Sequence, residues 1–343
     1  MEEVYFNVIN KIFKPYQPKI IKLYHKFGNF ETLYNYLKNE NKFEEFNFEE
    51  EEKLLKQFGI EILTLSNIDY PEKLKNIDTP PLGIYLLGNK EIIKNSQLTL
   101  AIVGTRKASE YGLRIASRFS QQLSELGISI ISGLAYGIDL AAHKATLKNP
   151  GKTIAILGEG IVFALQTTKR KIIEKIIEND GLIISEFSPT TPPLPYHFPL
   201  RNRIIAGLSD GVIIIEAPIQ SGALITANYG LKYGKDIFVI PGEITNKNFE
   251  GSHNLIKQGA KLITNIEDIL TEFNFDYQVN RKLKNLKLAP QEELIYDSLK
   301  IKEKTIEELN KETKIAIQEL LVILSYMEIK GIIKNREGKF YLT

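Results

Sequence analysis

Six short, unbroken apolar runs through the middle of the chain limit its fold more than any other feature. They read LTLAIV (98–103), ISII (128–131), TIAIL (153–157), LIIS (182–185), VIII (212–215) and IFVI (237–240). Alternating apolar and polar residues would fit a sheet with one wet face, whereas continuous apolar runs fit parallel strands covered on both faces. Helical patterns separate the runs, as in Leu113 to Leu126 and Lys169 to Glu178. The expectation is an α/β fold, a doubly wound parallel sheet of the extended Rossmann-like kind. Loops that follow such strands gather along one rim, and ligands bind there.

The rim loops are rich in small and cationic residues. After the first run come Gly104, Thr105 and Arg106, followed by a helix starting near Tyr111. Gly104 lets a ligand approach the main chain, and Arg106 offers a forked positive charge that suits phosphate. The N–H groups at the helix start attract anions. Ser132 and Gly133 follow the second run. Phe198 to Arg203, carrying Arg201, Asn202 and Arg203, opens a further helix, and Ser221, Gly222 and Thr226 belong to another. Several amide donors and three arginines can hold a chain of phosphates.

The flanks differ. Residues 1–65 show helical spacing, with Ile20, Leu23, Tyr24 and Phe27 in one helix and Phe30, Leu33, Tyr34 and Leu37 in the next, separated by Gly28-Asn29. This predicts a small helical domain of the SAM-like kind, with the acidic cluster Glu44, Glu45 and Glu49 to Glu52 on a solvated face. Residues 66–97, punctuated by Pro71, Pro80 and Pro81, read as an extended connector. The core spans 98–273, and 274–289 is a polar, basic linker. Residues 290–343 give three helices, with a capping box at Thr305 and Glu308, and then a hairpin around Arg336 to Gly338. That order describes a winged helix. Its third helix carries Glu319 and Glu328 against Lys330, a weak attraction for duplex phosphate.

Several functions are excluded or disfavoured. The 343 residues include no cysteine, which removes disulfides, thiolate nucleophiles and Cys-ligated metals. The net charge of +2 means that nucleic-acid binding would need a local patch. An acidic N-terminus, with no apolar leader and no membrane-length run, points to a cytoplasmic protein away from the membrane. The dinucleotide fingerprint fails, because the first loop is GTRKAS and the second run ends without an acid. Gly151-Lys152-Thr153 precedes a strand where a Walker loop follows one. Asp139 and His143 share a helix face, where a capping Asp and a packed His are the simpler reading. No cofactor or metal is expected.

The ordered segments DYPEKLKNIDTPPLGIYLLGN, AIVGTRKASEYG, SGLAYGIDLAAHKATL, GKTIAILGEG, HFPLRNRIIAGLS, SGALITA, DIFVIPGE and EGSHNLIKQGAKLI span Asp69 to about Leu270. Together they resemble the DNA-processing protein A (DprA, or Smf) family. The resemblance implies a non-catalytic protein that binds and protects incoming single-stranded DNA in natural transformation. It also implies a homodimer through the core that loads the recombinase RecA. The family's arginine of the G-S/T-R loop falls on Arg106, and its stacking aromatic on Phe198. The loops at Ser132-Gly133 and Ser221-Gly222 line the same groove. Of Arg201 and Arg203, one pairs internally with Glu216 or Glu186 and the other faces DNA. The loop after Gly160 departs from the family, so the second phosphate contact falls to Lys169, Arg170 or Lys171. The alternative is a nucleotide-processing enzyme resembling the lysine-decarboxylase-like N-glycosidases, although Gln220 to Thr226 lacks their glutamate.

Overall fold

A computed structural model describes residues 2–13, 18–41, 47–148, 151–275, 289–300, 302–329, 332–336 and 338–342. The chain divides into two units, Met1–Ile269 and Leu270–Thr343.

In the first unit the predicted apolar runs become β3 (Thr99–Val103), β4 (Ser129–Ser132), β5 (Thr153–Leu157), β6 (Leu182–Ser185), β7 (Gly211–Ile214) and β8 (Asp236–Val239), joined by a short β9 (Lys261–Leu262). These seven strands are mutually parallel, in the spatial order β6-β5-β4-β3-β7-β8-β9. The chain winds outward from β3 through β4 to β6, then returns to β7 on the other side of β3. Loops leaving β3 and β7 therefore part company, which opens a crevice at their carboxyl ends.

Two strands lie outside the expected core. β1 (Glu61–Thr64) and β2 (Gly83–Gly88) extend the sheet beyond β6, both antiparallel to their neighbours. The sequence reading leaves β1 in the helical domain and β2 in the connector. A hairpin-like addition at a sheet edge carries no βαβ signal, so periodicity does not announce it.

Helices Glu2–Ile12, Pro18–Phe27, Phe30–Asn41 and Phe48–Phe58 precede β1. Gly28, at φ 76°, closes the second helix, and its N–H reaches Tyr24 O at 2.7 Å. Asn29 Oδ1 then caps the third by accepting from Thr32 N at 2.8 Å. The Tyr24 and Phe30 rings stack at 4.4 Å. Phe6 packs on β2, where a side chain at Gly83 would strike its ring at 2.6 Å. The expected solvated acidic face fails at Glu51. This residue is buried and accepts Asn7 Nδ2 at 3.0 Å and the Lys11 ammonium. Glu44 and Glu45 lie outside the described residues.

The second unit holds helices Pro290–Leu299, Ile306–Thr313 and Ile317–Ile329 and a three-stranded sheet. There β12 (Lys339–Leu342) pairs antiparallel with both β10 (Lys304–Thr305) and β11 (Ile333–Arg336). Thr305 Oγ1 accepts from Glu308 N while Glu308 Oε2 accepts from Thr305 N, closing the capping box. No helix among the described residues is long and apolar enough to cross a membrane.

His143 is wholly buried in the helix Ile138–Thr146. Its Nδ1 lies 2.7 Å from Thr153 Oγ1, whose own proton goes to Ile130 O at 2.8 Å, so Nδ1 is the donor. Burial, with Arg201 nearby, pulls its pKa from 6.5 to about 3. The unfolded chain takes up a proton first, so this contribution to stability is complete above the unfolded value and is lost as pH falls toward the folded one. We expect the unfolding free energy from denaturant titration to fall as pH drops from about 6.5 toward about 3, by at most about 1.4 kcal/mol per pH unit from this group. His143→Gln should flatten that slope; an equally steep profile in the variant would refute the account.

Candidate functional site

The crevice at the switch point is a cleft of about 570 Å³. Its walls are the loop after β3, the first turns of the helices Ile138–Thr146, His197–Leu208 and Gly222–Lys232, and the loop after β7. Of the residues singled out from sequence, Gly104, Thr105, Arg106, Phe198, Arg201, Asn202, Ser221, Gly222 and Thr226 line it.

The loop after β3 is held from below. Thr105 N donates to Glu216 O at 2.7 Å, and a side chain at Gly104 would come within 2.9 Å of Ile138 Cβ. Here glycine serves internal packing. Arg106 emerges exposed from this loop and makes no ion pair among the described residues. Its guanidinium lies 4.7 Å from the centroid of the Phe198 ring. The ring also packs on Gly158, where a Cβ would meet Phe198 Cδ1 at 2.8 Å. Phe198 therefore contacts both backbone and cation.

Arg201 is 3% exposed and lies under the cleft. Its Nη1 donates to Gly133 O at 2.7 Å and also to Ile156 O, and its Nε donates to Asn202 Oδ1 at 3.1 Å. Burial lowers its pKa to about 10, against the supporting charges of Asp139 and Glu159. Asp139, the one carboxylate lining the cleft among the described residues, accepts from Gly133 N at 3.1 Å. Burial raises its pKa, opposed by Arg201 and by the amides of Gly133 and Ala135. Asn202 Nδ2 reaches across to Gly222 O at 3.0 Å. Ser221 Oγ caps the last helix by accepting from Ala223 N at 3.2 Å.

Gly222 stands apart from Gly104, Gly133 and Gly158. Each of those has a neighbour that would lie within 3.0 Å of an added Cβ, whereas at Gly222 the nearest atom, Asn202 Nδ2, would be 3.9 Å away. The protein itself gives no steric reason for glycine there, and the open side is the cleft.

The family model for DNA recombination-mediator protein A matches residues 61–274. This chain belongs to that family. The DNA processing protein DprA of Streptococcus pneumoniae is 45% identical over 207 residues, covering 60% of this chain and 72% of that protein. Its X-ray structure aligns over 79% of this chain and 99% of that chain with a TM-score of 0.64 and 34% identity. Protein Smf of Escherichia coli is 42% identical over 206 residues, covering 60% of this chain but only 54% of its own length. A structure of DNA processing protein A from Helicobacter pylori, described by its single-stranded DNA binding mode, gives a TM-score of 0.56 at 31% identity. It covers 63% of this chain and 97% of its own.

Five of the rim residues read from this family's pattern do not line the cleft. Arg203 is fully buried, with Nη2 donating to Glu186 Oε1 at 2.6 Å, so of the two buried helix arginines it is the one paired with Glu186. Burial pushes the Glu186 carboxyl up despite the arginine beside it. Ser132 spends its hydroxyl on Ile102 O at 2.6 Å, and Gly133 is the floor on which Arg201 lies: a side chain there would overlap the guanidinium. Lys169 pairs with the buried carboxylate of Glu159, and Arg170 pairs with Glu174 one turn on at 2.7 Å. Nor is the helix that follows Arg106 an open anion site. Ser109 N and Oγ, at its N-terminus, already bind the Glu216 carboxylate at 3.1 and 2.8 Å. Missed from sequence were the wall residues Pro195, Pro218 and Gln220. Their loop positions signal turns, not the direction they face.

Arg203 and Arg106 should separate experimentally. Arg203→Met leaves Glu186 without its cation and should cost about 3–5 kcal/mol in chemical denaturation. Arg106→Ala, at an exposed and unpaired position, should stay within about 0.5 kcal/mol of the parent. A reversed ranking would contradict the assignment of Arg203 to the interior.

Proposed function

We propose that the cleft binds single-stranded DNA, sequence-independently and without making or breaking bonds. The observation that carries this reading is the exposed Arg106 guanidinium, unpaired among the described residues, lining the same cleft as the open Gly222 position. A guanidinium with no carboxylate of its own suits a phosphate, and a glycine without an internal reason suits close approach of a backbone. Phe198 then serves as a stacking face once Arg106 engages phosphate and leaves the ring. Membership of the family and the single-stranded DNA binding mode described for the Helicobacter pylori protein support the same ligand. As the resemblance implies, the protein would protect incoming DNA in natural transformation, act as a homodimer through the core and load RecA.

An enzymatic role on nucleotides has less support. Among the described residues Asp139 is the single carboxylate of the cleft, it is buried, and Gly133 N–H already engages it, which leaves no acid–base pair of described residues facing a ligand. Duplex recognition by the C-terminal unit is also disfavoured. The helix Ile317–Ile329 exposes Ile317, Leu321, Val322 and Tyr326 and holds Glu319 and Glu328 with no Lys or Arg. Such a face suits a protein contact better than a phosphate backbone.

With a labelled oligothymidine, Arg106→Ala should lower affinity at least about tenfold. The slope of log affinity against log salt should fall by about 0.7, one phosphate contact on a single strand. Unchanged affinity and slope in a folded variant would overturn the proposal. Release of free base from nucleoside monophosphates would favour the enzyme instead.

A further inference from the structure

The loop that carries Arg106 has a second hollow at its other end, about 530 Å³, lined by Ser109, Tyr111, Pro241, Gly242, Glu243 and Phe249, with Asn246 at its margin. None of these residues belongs to the cleft described above.

Its aromatic wall is fixed in advance. Tyr111 is 37% exposed, yet its hydroxyl donates to Pro241 O at 3.1 Å and its ring meets Phe249 edge-on, with centroids 5.9 Å apart. Phe249 is buried over Gly242, where any side chain would overlap the ring. His253 Nε2 lies 3.1 Å from Gly242 O. An exposed tyrosine held at both ends has already lost the freedom that binding would otherwise remove.

The polar groups indicate what fits against it. Glu243 is exposed and offers an acceptor edge, with Oε1 accepting from Thr245 Oγ1 at 2.8 Å and Oε2 left over. A carboxylate repels phosphate, so the hollow itself does not suit one. Outside it stand Lys107 and Arg114, both exposed and without ion pairs among the described residues, the latter 5.9 Å from the Tyr111 ring centroid. An aromatic face, an acceptor for N–H groups and cations just beyond match a nucleobase inside and its phosphates outside. The hollow is also tied to the Arg106 loop. Asn248 Nδ2 donates both to Lys107 O at 3.3 Å and to Glu216 Oε1 at 2.5 Å.

We propose that this hollow is a base subsite for the strand held at Arg106, with a nucleobase stacked on Tyr111 and its N–H edge on Glu243. The proposal rests on the single-strand reading of the cleft, and the test separates the two. The full chain is titrated with thymidine oligonucleotides, one just long enough for the Arg106 cleft and one several times longer. Tyr111→Ala should weaken the long oligonucleotide about 5- to 100-fold and leave the short one unchanged, while Tyr111→Phe, which keeps the ring, should retain most of the affinity. Arg106→Ala should weaken both. If Tyr111→Ala binds the long oligonucleotide like the parent, the subsite is refuted and the cleft stands. If Arg106→Ala leaves both lengths unchanged, the cleft reading falls and takes the subsite with it. Loss of both lengths in Tyr111→Ala and Tyr111→Phe alike marks Tyr111 as a structural anchor and also overturns the subsite.

Discussion

Glu216 follows β7 with no exposure and turns its carboxylate onto the first turn of the helix Glu110–Glu125, where Ser109 N, Ser109 Oγ and Asn248 Nδ2 converge on it. Its carbonyl meanwhile accepts from Thr105 N. One residue therefore joins the loop after β3, the end of β7 and the turn Lys247–Phe249. A side chain at Gly112 would overlap that carboxylate, so the glycine records how closely the helix sits. A buried carboxylate is costly unless its oxygens are satisfied, and these donors satisfy them. The consequence for the rim is a change of role. The helix N-terminus that would otherwise attract a ligand's phosphate is occupied by the protein's own anion, and Arg106 is left as the exposed cation of the β3 loop that lines the cleft.

The helix His197–Leu208 divides its two arginines by direction. Arg203 turns inward to Glu186, whose carbonyl accepts Asn10 Nδ2 from the first helix at 2.8 Å. Asn10 and Asn7 flank the buried Tyr85 hydroxyl at 3.3 and 2.8 Å, and Asn7 leads on to Glu51. Through this buried polar chain the N-terminal helices grip the sheet just behind the cleft. Arg201, two residues earlier, turns toward the strand ends and bridges the carbonyls of Gly133 and Ile156. Pairing offsets the cost of burying such groups, and it fixes one packing among many.

Periodicity made much of this legible. The continuity of runs such as TIAIL and VIII marked strands buried on both faces, and their observed limits differ from the readings by a residue or two. Local chemistry was also readable where it acts over one turn, as at Gly28-Asn29 and at Thr305 and Glu308. Strands β1 and β2 escaped because antiparallel edge pairing leaves no helical crossover to read. Lys169 and Glu51 were misjudged for one reason: a charge is read as solvated until its partner is known, and the partners Glu159 and Asn7 come from other elements.

The sequence by itself determined the layered sheet, the edge at which its loops assemble and the stock of arginines and glycines placed there, because strand burial and turn chemistry are written in neighbouring residues. Which arginine reaches solvent, which glycine is left open and which helix end is already filled were decided only by tertiary structure. Those outcomes depend on residues such as Arg201 and Gly133, or Glu216 and Ser109, that lie 68 and 107 positions apart and meet only when the sheet closes.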